Sequence, residues 1–466
     1  MCNEERFSRV GVGEYLEGVL TVWIPARRTF HIIILGVLAA IVVLALDQAM
    51  PLLTKLRAHR EPVATSGAPR SYDEAIRKAD LTIEGDEEIA RGRSGEWLIE
   101  ERLANAYFAR ARLTGSFDDY AAAQRALDQA FATAPKGVGP HLTQAMLDFS
   151  LHRLSAAGAM IDAIDHYVIR PEAETRGETS AMRGDIAFYR GDYAKALQAY
   201  TEGRDAKAVE SSFRLAVYQS KTGQGDRAIS TIERLAEQDR FPTAQLLCNL
   251  SLMAGAIELQ RGNWSKAIEY FQRANRQFPG YWLVEAHLAQ MAAMSGKRQT
   301  AIRAYLAIVL PNERPEVMDA LAGLYRAQGD RKQSVLWADR AEAVWERRLR
   351  QIPEGAYGHA VEHYLAFDKP ARALELALLD YRARPYGVSA TALAWAYIAN
   401  NRPADALRVI DPVLRSAWVS AEEHIVAGQA HLLLGQSEAA DAEQQAALAI
   451  NPRSMDREAG LIWFGH

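Results

Sequence analysis

Two imidazoles four residues apart share one face of a helix and can hold zinc between them, with a neighbouring carboxylate as general base. His359-Ala360-Val361-Glu362-His363 has that spacing. Against it, no third ligand can be chosen from the sequence, and the segment reads as the first helix of a helical pair rather than part of a catalytic domain. An ordinary histidine pair is the preferred reading, and a membrane-bound zinc hydrolase at His359, Glu362 and His363 is the alternative. His424 and His431 read as structural on a later helix. Cys2 and Cys248 are too few for a disulfide framework or a four-cysteine zinc site, and too far apart for a redox pair. There is no phosphate-binding glycine loop and no nucleophile elbow. No catalytic residue, metal or cofactor is therefore assigned.

The elements that must position any site come from the rest of the 466 residues. Hydrophobic residues make up 49% and charged residues 24%, an ordinary globular balance that excludes wholesale disorder. A net charge of −4 excludes a basic footprint for nucleic acid. Residues 1–28 form an N-terminal tail, in which Tyr15, Leu16, Val19, Leu20, Trp23 and Ile24 recur at helical spacing before Pro25. The run Thr29–Leu46 carries no formal charge and predicts a single membrane-spanning helix over 29–50, with the lipid bilayer as a partner. Basic residues on its two sides are nearly balanced, so the positive-inside rule is almost silent. A short tail before a large C-terminal domain favours export of that domain, with the cytoplasmic arrangement as the alternative. Residues 51–96 read as a linker holding a short helix at 71–79, capped by Ser71.

Self-comparison organises everything after that. Gly191-Asp192-Tyr193-Ala194-Lys195-Ala196 and Gly262-Asn263-Trp264-Ser265-Lys266-Ala267 share a turn glycine, an aromatic two later and an alanine five later. Aligned on that alanine, Ala123, Gly158, Ala196, Ala228, Ala267, Ala301, Ser334, Ala373, Ala406 and Ala440 recur at an average of about 35 residues. Twelve residues before them, Ala111, Gly184, Ala216, Gly255, Ala289, Ala322, Ala394 and Gly428 are also small, whereas Met146 and Val361 are not. The unit around Ala373 has Asp368 in place of the turn glycine. Small residues let two helices approach closely, and rings such as Tyr200, Phe271 and Tyr305 fill the space between pairs.

This pattern resembles the tetratricopeptide repeat, a helix–turn–helix unit, over residues 97–452. The expectation is an all-α protein, an α-solenoid of about ten helix pairs whose stability comes from stacking neighbours. The resemblance implies a concave groove lined by the first helix of each pair. In this register its candidates are Phe188, Phe213, Asn249, Leu252, Leu283, Gln290, Trp395, Ile398, Ile425 and Leu432. These positions lack the repeated Lys, Arg and Asn that would clamp acidic chain ends, and the last four suggest an apolar groove for a peptide or helix. Residues 453–466 leave an apolar run, Leu461-Ile462-Trp463-Phe464, which either caps the final pair or occupies a groove or partner. By resemblance, the chain is expected to be a non-enzymatic scaffold for other proteins or peptides. Its expected place is the bacterial inner membrane, with the solenoid periplasmic. It would serve assembly of an envelope complex, in exopolysaccharide or pilus export or in respiratory-protein maturation.

Overall fold

The computed structural model describes residues 67–93, 95–205, 209–238 and 242–464. Among these residues there are 21 α-helices, one short 3-10 turn at Arg457–Leu461 and one isolated bridge from Thr222 to Val419, with no strand. Helix α1 spans Tyr72–Gly92. Ten hairpin pairs follow it. The first five are α2 (Trp97–Thr114) with α3 (Phe117–Thr133), α4 (His141–Ser150) with α5 (Leu154–Asp165), α6 (Ala173–Tyr189) with α7 (Tyr193–Asp205), α8 (Val209–Lys221) with α9 (Gly225–Gln238), and α10 (Ala244–Gln260) with α11 (Trp264–Gln277). The second five are α12 (Trp282–Met294) with α13 (Arg298–Val309), α14 (Pro315–Ala327) with α15 (Arg331–Gln351), α16 (Pro353–Ala366) with α17 (Pro370–Ala383), α18 (Gly387–Ala399) with α19 (Pro403–Leu414), and α20 (Ala421–Leu433) with α21 (Ser437–Ile450).

The recurrent small residues sit where the two helices of a pair touch. Ala123, Ala196, Ala228, Ala267, Ala301, Ala373 and Ala406 are fully buried. A Cβ added at Gly255 would lie 2.4 Å from the Phe271 ring, and one at Gly184 would lie 2.7 Å from Tyr200. The absent side chain is what seats the ring, so neither partner can grow without parting the pair.

Each pair turns through one residue with positive φ. Seven of these are glycines (115, 191, 223, 262, 296, 329 and 435), and the other three are His152, Asp368 and Asn401. In nine of the ten turns the amide that follows donates to the carbonyl five residues back, for example Asp192 N to Ala187 O at 2.9 Å, which closes the first helix. Asp, Asn and His are the side chains that tolerate this left-handed conformation best, though still at some cost. Asp368 is exposed, so Asp368→Gly relieves that cost and loses no packing. The expected result is a gain of about 0.5 kcal/mol in thermal melting, after the added freedom of the unfolded chain is set against it. A lower melting temperature would contradict the strain argument.

Helix α1 is longer than the segment legible in the sequence. Ser71 does cap it, its Oγ accepting from Glu74 N at 3.3 Å. Its second half carries little apolar pattern because charge fastens it to α2. Asp80 pairs with Arg110 at 2.8 Å, buried Asp86 pairs with Arg102, and Glu87 accepts from the Tyr107 hydroxyl.

The pairs wind tightly enough for the second turn of the superhelix to rest on the first. The start of α1 meets the loop before α12, with Tyr72 N donating to Pro279 O at 3.0 Å and Tyr72 stacked on Tyr281 at 5.7 Å. In the first pair's turn, the Thr114 carbonyl accepts from Arg314, just before α14. His152 in the second pair's turn meets Glu354 at the start of α16. Tyr193, beginning α7, accepts from Gly387 N, which begins α18. In the fourth pair's turn, the Lys221 carbonyl accepts from Val419 N before α20, at 2.8 Å. The fifth pair's Trp264 lies under Arg453, beyond α21, at 3.5 Å. Each of the first five pairs is thus answered by the chain six pairs later, at separations such as 194, 200 and 202 residues.

The expected single-pass inner-membrane placement is corrected. Among the described residues no helix is long and apolar enough to cross a membrane. The segment 29–50, which carried that expectation and the lipid-bilayer partner, lies outside the described residues, as do the N-terminal tail and residues 51–66.

Candidate functional site

First helices face the inside of the superhelix. Helices α2, α4, α6, α8 and α10 surround a space of about 430 Å³, with Phe108, Met146, Phe149, Met182, Phe188, Tyr189, Phe213, Val217, Leu246 and Asn249 in its wall. The size suits a few side chains of a bound segment. An ionic cluster supplies the polar part of the wall. Arg214 donates from Nε to Asp185 at 2.7 Å and from Nη2 to Glu178 at 2.7 Å, while Tyr200 donates its hydroxyl to Asp185 at 2.9 Å. Burial pushes the Asp185 carboxyl above its usual range, in spite of Arg214 beside it. Burial opposes the charge on Arg214, but Glu178 and Asp185 outweigh it and hold the guanidinium above its ordinary value. Two carboxylates share one cation, so the cluster carries a formal excess of one negative charge, fixed in ion pairs that order the wall. Arg112, exposed, lies along the Phe108 ring at 5.8 Å and also lines an adjoining space of about 320 Å³ with Tyr120, His152 and Tyr189.

Nine of the ten groove candidates fall into three groups. Phe188, Phe213 and Asn249 line the inner space together. Leu252 and Leu283 are half-buried beside the core formed by α10, α11 and α12. Trp395 and Ile398 are half-buried in the packing of the last two pairs, Ile425 is half-buried on α20, and Leu432 is 57% exposed at its end. These four do not share a wall with the first three. The cluster Glu178–Asp185–Arg214 was missed because it is polar. Its signal was present as two carboxylates seven residues apart on one first helix, followed by an arginine on the next.

Gln290, the remaining candidate, is fully buried, and what buries it is the chain's own C-terminal segment. Its Oε1 accepts from Trp463 N at 2.7 Å and Phe464 N at 2.8 Å, and its Nε2 donates to Phe464 O at 2.8 Å. The Phe464 ring packs edge-on to His287 at 5.7 Å and near Tyr305 at 6.4 Å. Trp463 stacks on Phe367 at 6.2 Å and lies against Gly323, where an added Cβ would sit 3.0 Å from the indole nitrogen. The segment therefore lies on the first helices α12, α14 and α16, not over α21.

The histidine pair is pulled apart in role. His363 is buried and hydrogen-bonded to Asp319, Nδ1 to Oδ1 at 2.6 Å, while the other Asp319 oxygen accepts from Trp345 Nε1 at 2.8 Å. Burial raises the Asp319 carboxyl. His359 is 46% exposed, stacks on Trp345 and lies 3.9 Å from Glu362. Among the described residues no three His, Cys, Asp or Glu side chains are placed to hold one ion. The geometry gives the hydrolase alternative no support.

The pairing, the left-handed turn and the small-residue register are those of the helix–turn–helix repeat expected from the sequence. No protein-family model and no curated protein matches the chain. Among solved structures it is similar to a tetratricopeptide repeat protein from Parabacteroides merdae at 15% identity, over 54% of this chain and 95% of that one, with a TM-score of 0.32. It is also similar to the Cut9–Hcn1 hetero-tetramer of the APC/C at 12% identity, over 84% and 94%, with a TM-score of 0.32. A Rap protein complexed with Competence and Sporulation Factor matches at 11% identity, over 84% and 97%, with a TM-score of 0.38.

Proposed function

We propose that this chain is a non-enzymatic protein-interaction scaffold that takes a peptide segment of another protein into the space between α2, α4, α6, α8 and α10. The observation that carries the reading is that space itself: about 430 Å³, walled largely by aromatic and aliphatic side chains, with Arg112 and the ion-paired Glu178–Asp185–Arg214 cluster as its charged part. Such a wall matches a segment with two or three apolar side chains and a polar group that can share the Glu178–Arg214 edge. The engagement of His363 with Asp319 favours binding over hydrolysis.

Filling the space tests this. Val217 is half-buried in the wall, and Val217→Trp places an indole in the opening while leaving the small-residue crossings untouched. A photo-crosslinking residue at Asn249 is expected to capture a discrete polypeptide from cells, and Val217→Trp is expected to reduce that capture by at least about tenfold with melting unchanged. The same crosslinker at Leu310, which is 73% exposed, serves as the control. Equal capture at Asn249 and Leu310, or capture indifferent to Val217→Trp, would sink the proposal.

A further inference from the structure

A fully buried glutamine that spends both its amide oxygen and its amide nitrogen on another segment's main chain can read extended peptide. Gln290 does this, with three hydrogen bonds to the backbone of Trp463 and Phe464. Those bonds ask only that the ligand be extended, and the side-chain slots around them supply selectivity. One slot is flat and narrow, between Gly323 and Phe367, and holds an indole. The next, between His287 and Tyr305, holds a phenyl ring. One helical turn from Phe367, the Nε2 of buried His363 has no hydrogen-bond partner, a polar atom that the resident segment does not use.

The segment occupying these slots is joined to the last helix without a further α-helix. Between the end of α21 and Leu461 the chain has only turns and one 3-10 turn, and most of its residues are exposed or half-exposed, with Met455 at 42%. Its departure would strip no helix pair of its partner helix.

We propose that the inner face of α12, α14 and α16 is a peptide-binding site for an extended segment bearing adjacent Trp and Phe side chains, and that residues 461–464 occupy it until such a partner displaces them. The site is separate from the space between α2 and α10. A tethered segment acts at an effective concentration in the millimolar range, so it masks the site from any free peptide much below that concentration. A partner succeeds by matching the same main-chain bonds and adding contacts of its own.

The test uses the full chain and a fluorescein-labelled synthetic peptide of residues 457–466. In the natural chain the peptide is expected to bind weakly. In Trp463→Ala/Phe464→Ala, which weakens the resident, its affinity is expected to rise at least about tenfold. Adding Gln290→Leu to that variant is expected to remove the gain, and a peptide with Ala in place of Trp and Phe is expected not to bind. Val217→Trp should leave these results unchanged, which separates failure here from failure of the proposed function. A folded double variant that binds no better than the natural chain overturns the proposal. So does a double variant that loses helix content, because the segment is then part of the core. A natural chain that forms concentration-dependent dimers by exchanging this segment also overturns it, since the occupant is then a second copy.

Discussion

Trp418→Ala is expected to cost about 3–5 kcal/mol and to make the melting of the chain visibly less cooperative. The indole is buried just before α20 and joins rings from both superhelical turns: Phe188 at 6.0 Å, Tyr193 at 6.0 Å and Tyr386 at 5.8 Å. Gly387 leaves room for it, since a Cβ there would lie 2.1 Å from the ring. Its Nε1 donates to Glu423 at 2.8 Å, and Glu423, itself buried, also accepts from Thr391 and Ser420. Truncation thus removes a large ring and one of the donors that make a buried carboxylate tolerable. In a solenoid the loss stays at the interface it touches, so the later pairs should release from the earlier ones before either unfolds. Hydrogen exchange should quicken first around Gly387 and Val419. Trp418→Phe retains most of the ring and should lose only about 1–3 kcal/mol, from Glu423. A melt of unchanged midpoint and sharpness for Trp418→Ala would refute the view that this cluster ties the two turns together.

Acid should loosen the same stack at another point. His152 sits in the left-handed turn between α4 and α5, its Nδ1 3.4 Å from the Glu354 carbonyl of the next superhelical turn. Burial first, then the nearby Arg384 and His359, hold its imidazole down at about 3, against an ordinary 6.5. Arg153 and Glu354 border the same contact. Above pH about 6.5 the ring is neutral folded and unfolded, so it contributes no pH dependence. As pH falls below that, only the unfolded chain takes up the proton, and stability is lost down to the folded value. The loss is about 1.4 kcal/mol per pH unit, or about 2 kcal/mol at pH 5. Asp148, Asp185, Asp319 and Asp380 are all raised by burial and act in the opposite direction, gaining stability as they protonate. His152→Asn keeps a residue tolerant of the left-handed turn and leaves those carboxylates in place. Denaturation at pH 7.5 and pH 5 should therefore show the natural chain losing about 2 kcal/mol more than His152→Asn. Parallel losses in the two proteins would mean that the ring is not held neutral.

What was readable in advance divides along a physical line. Features local in sequence could be read: alanines such as Ala196 and Ala267 against the neighbouring helix, the pairing itself and Ser71 as a cap all depend on residues within one repeat. Asp368 departs from the repeat's turn glycine in the sequence, and His152 and Asn401 hold the same left-handed conformation. The winding was not readable. It depends on contacts such as Arg314 to Thr114 and Gly387 to Tyr193, which join residues about two hundred apart with no periodic signal of their own. The inner wall was partly readable, since the repeat register places Phe188, Phe213 and Asn249 on it. Arg214 and its two carboxylates needed three-dimensional pairing to be recognised. The seat of Trp463 and Phe464 on Gln290 could not be foreseen, because a glutamine amid an apolar helix carries no mark of what it will read.

The six-pair winding also bears on how such a chain can change length. In an open array of repeats, gaining or losing one unit disturbs only the neighbouring junctions. Here each of the first five hairpins is matched to a segment six units downstream. Excising a single hairpin from the middle would therefore leave Gly191 facing a loop other than the one at Pro385, and would mismatch its neighbours' pairings at the same stroke. Repeat number in this chain is locked by gearing: duplications are tolerated only at the ends, or in steps of a whole winding.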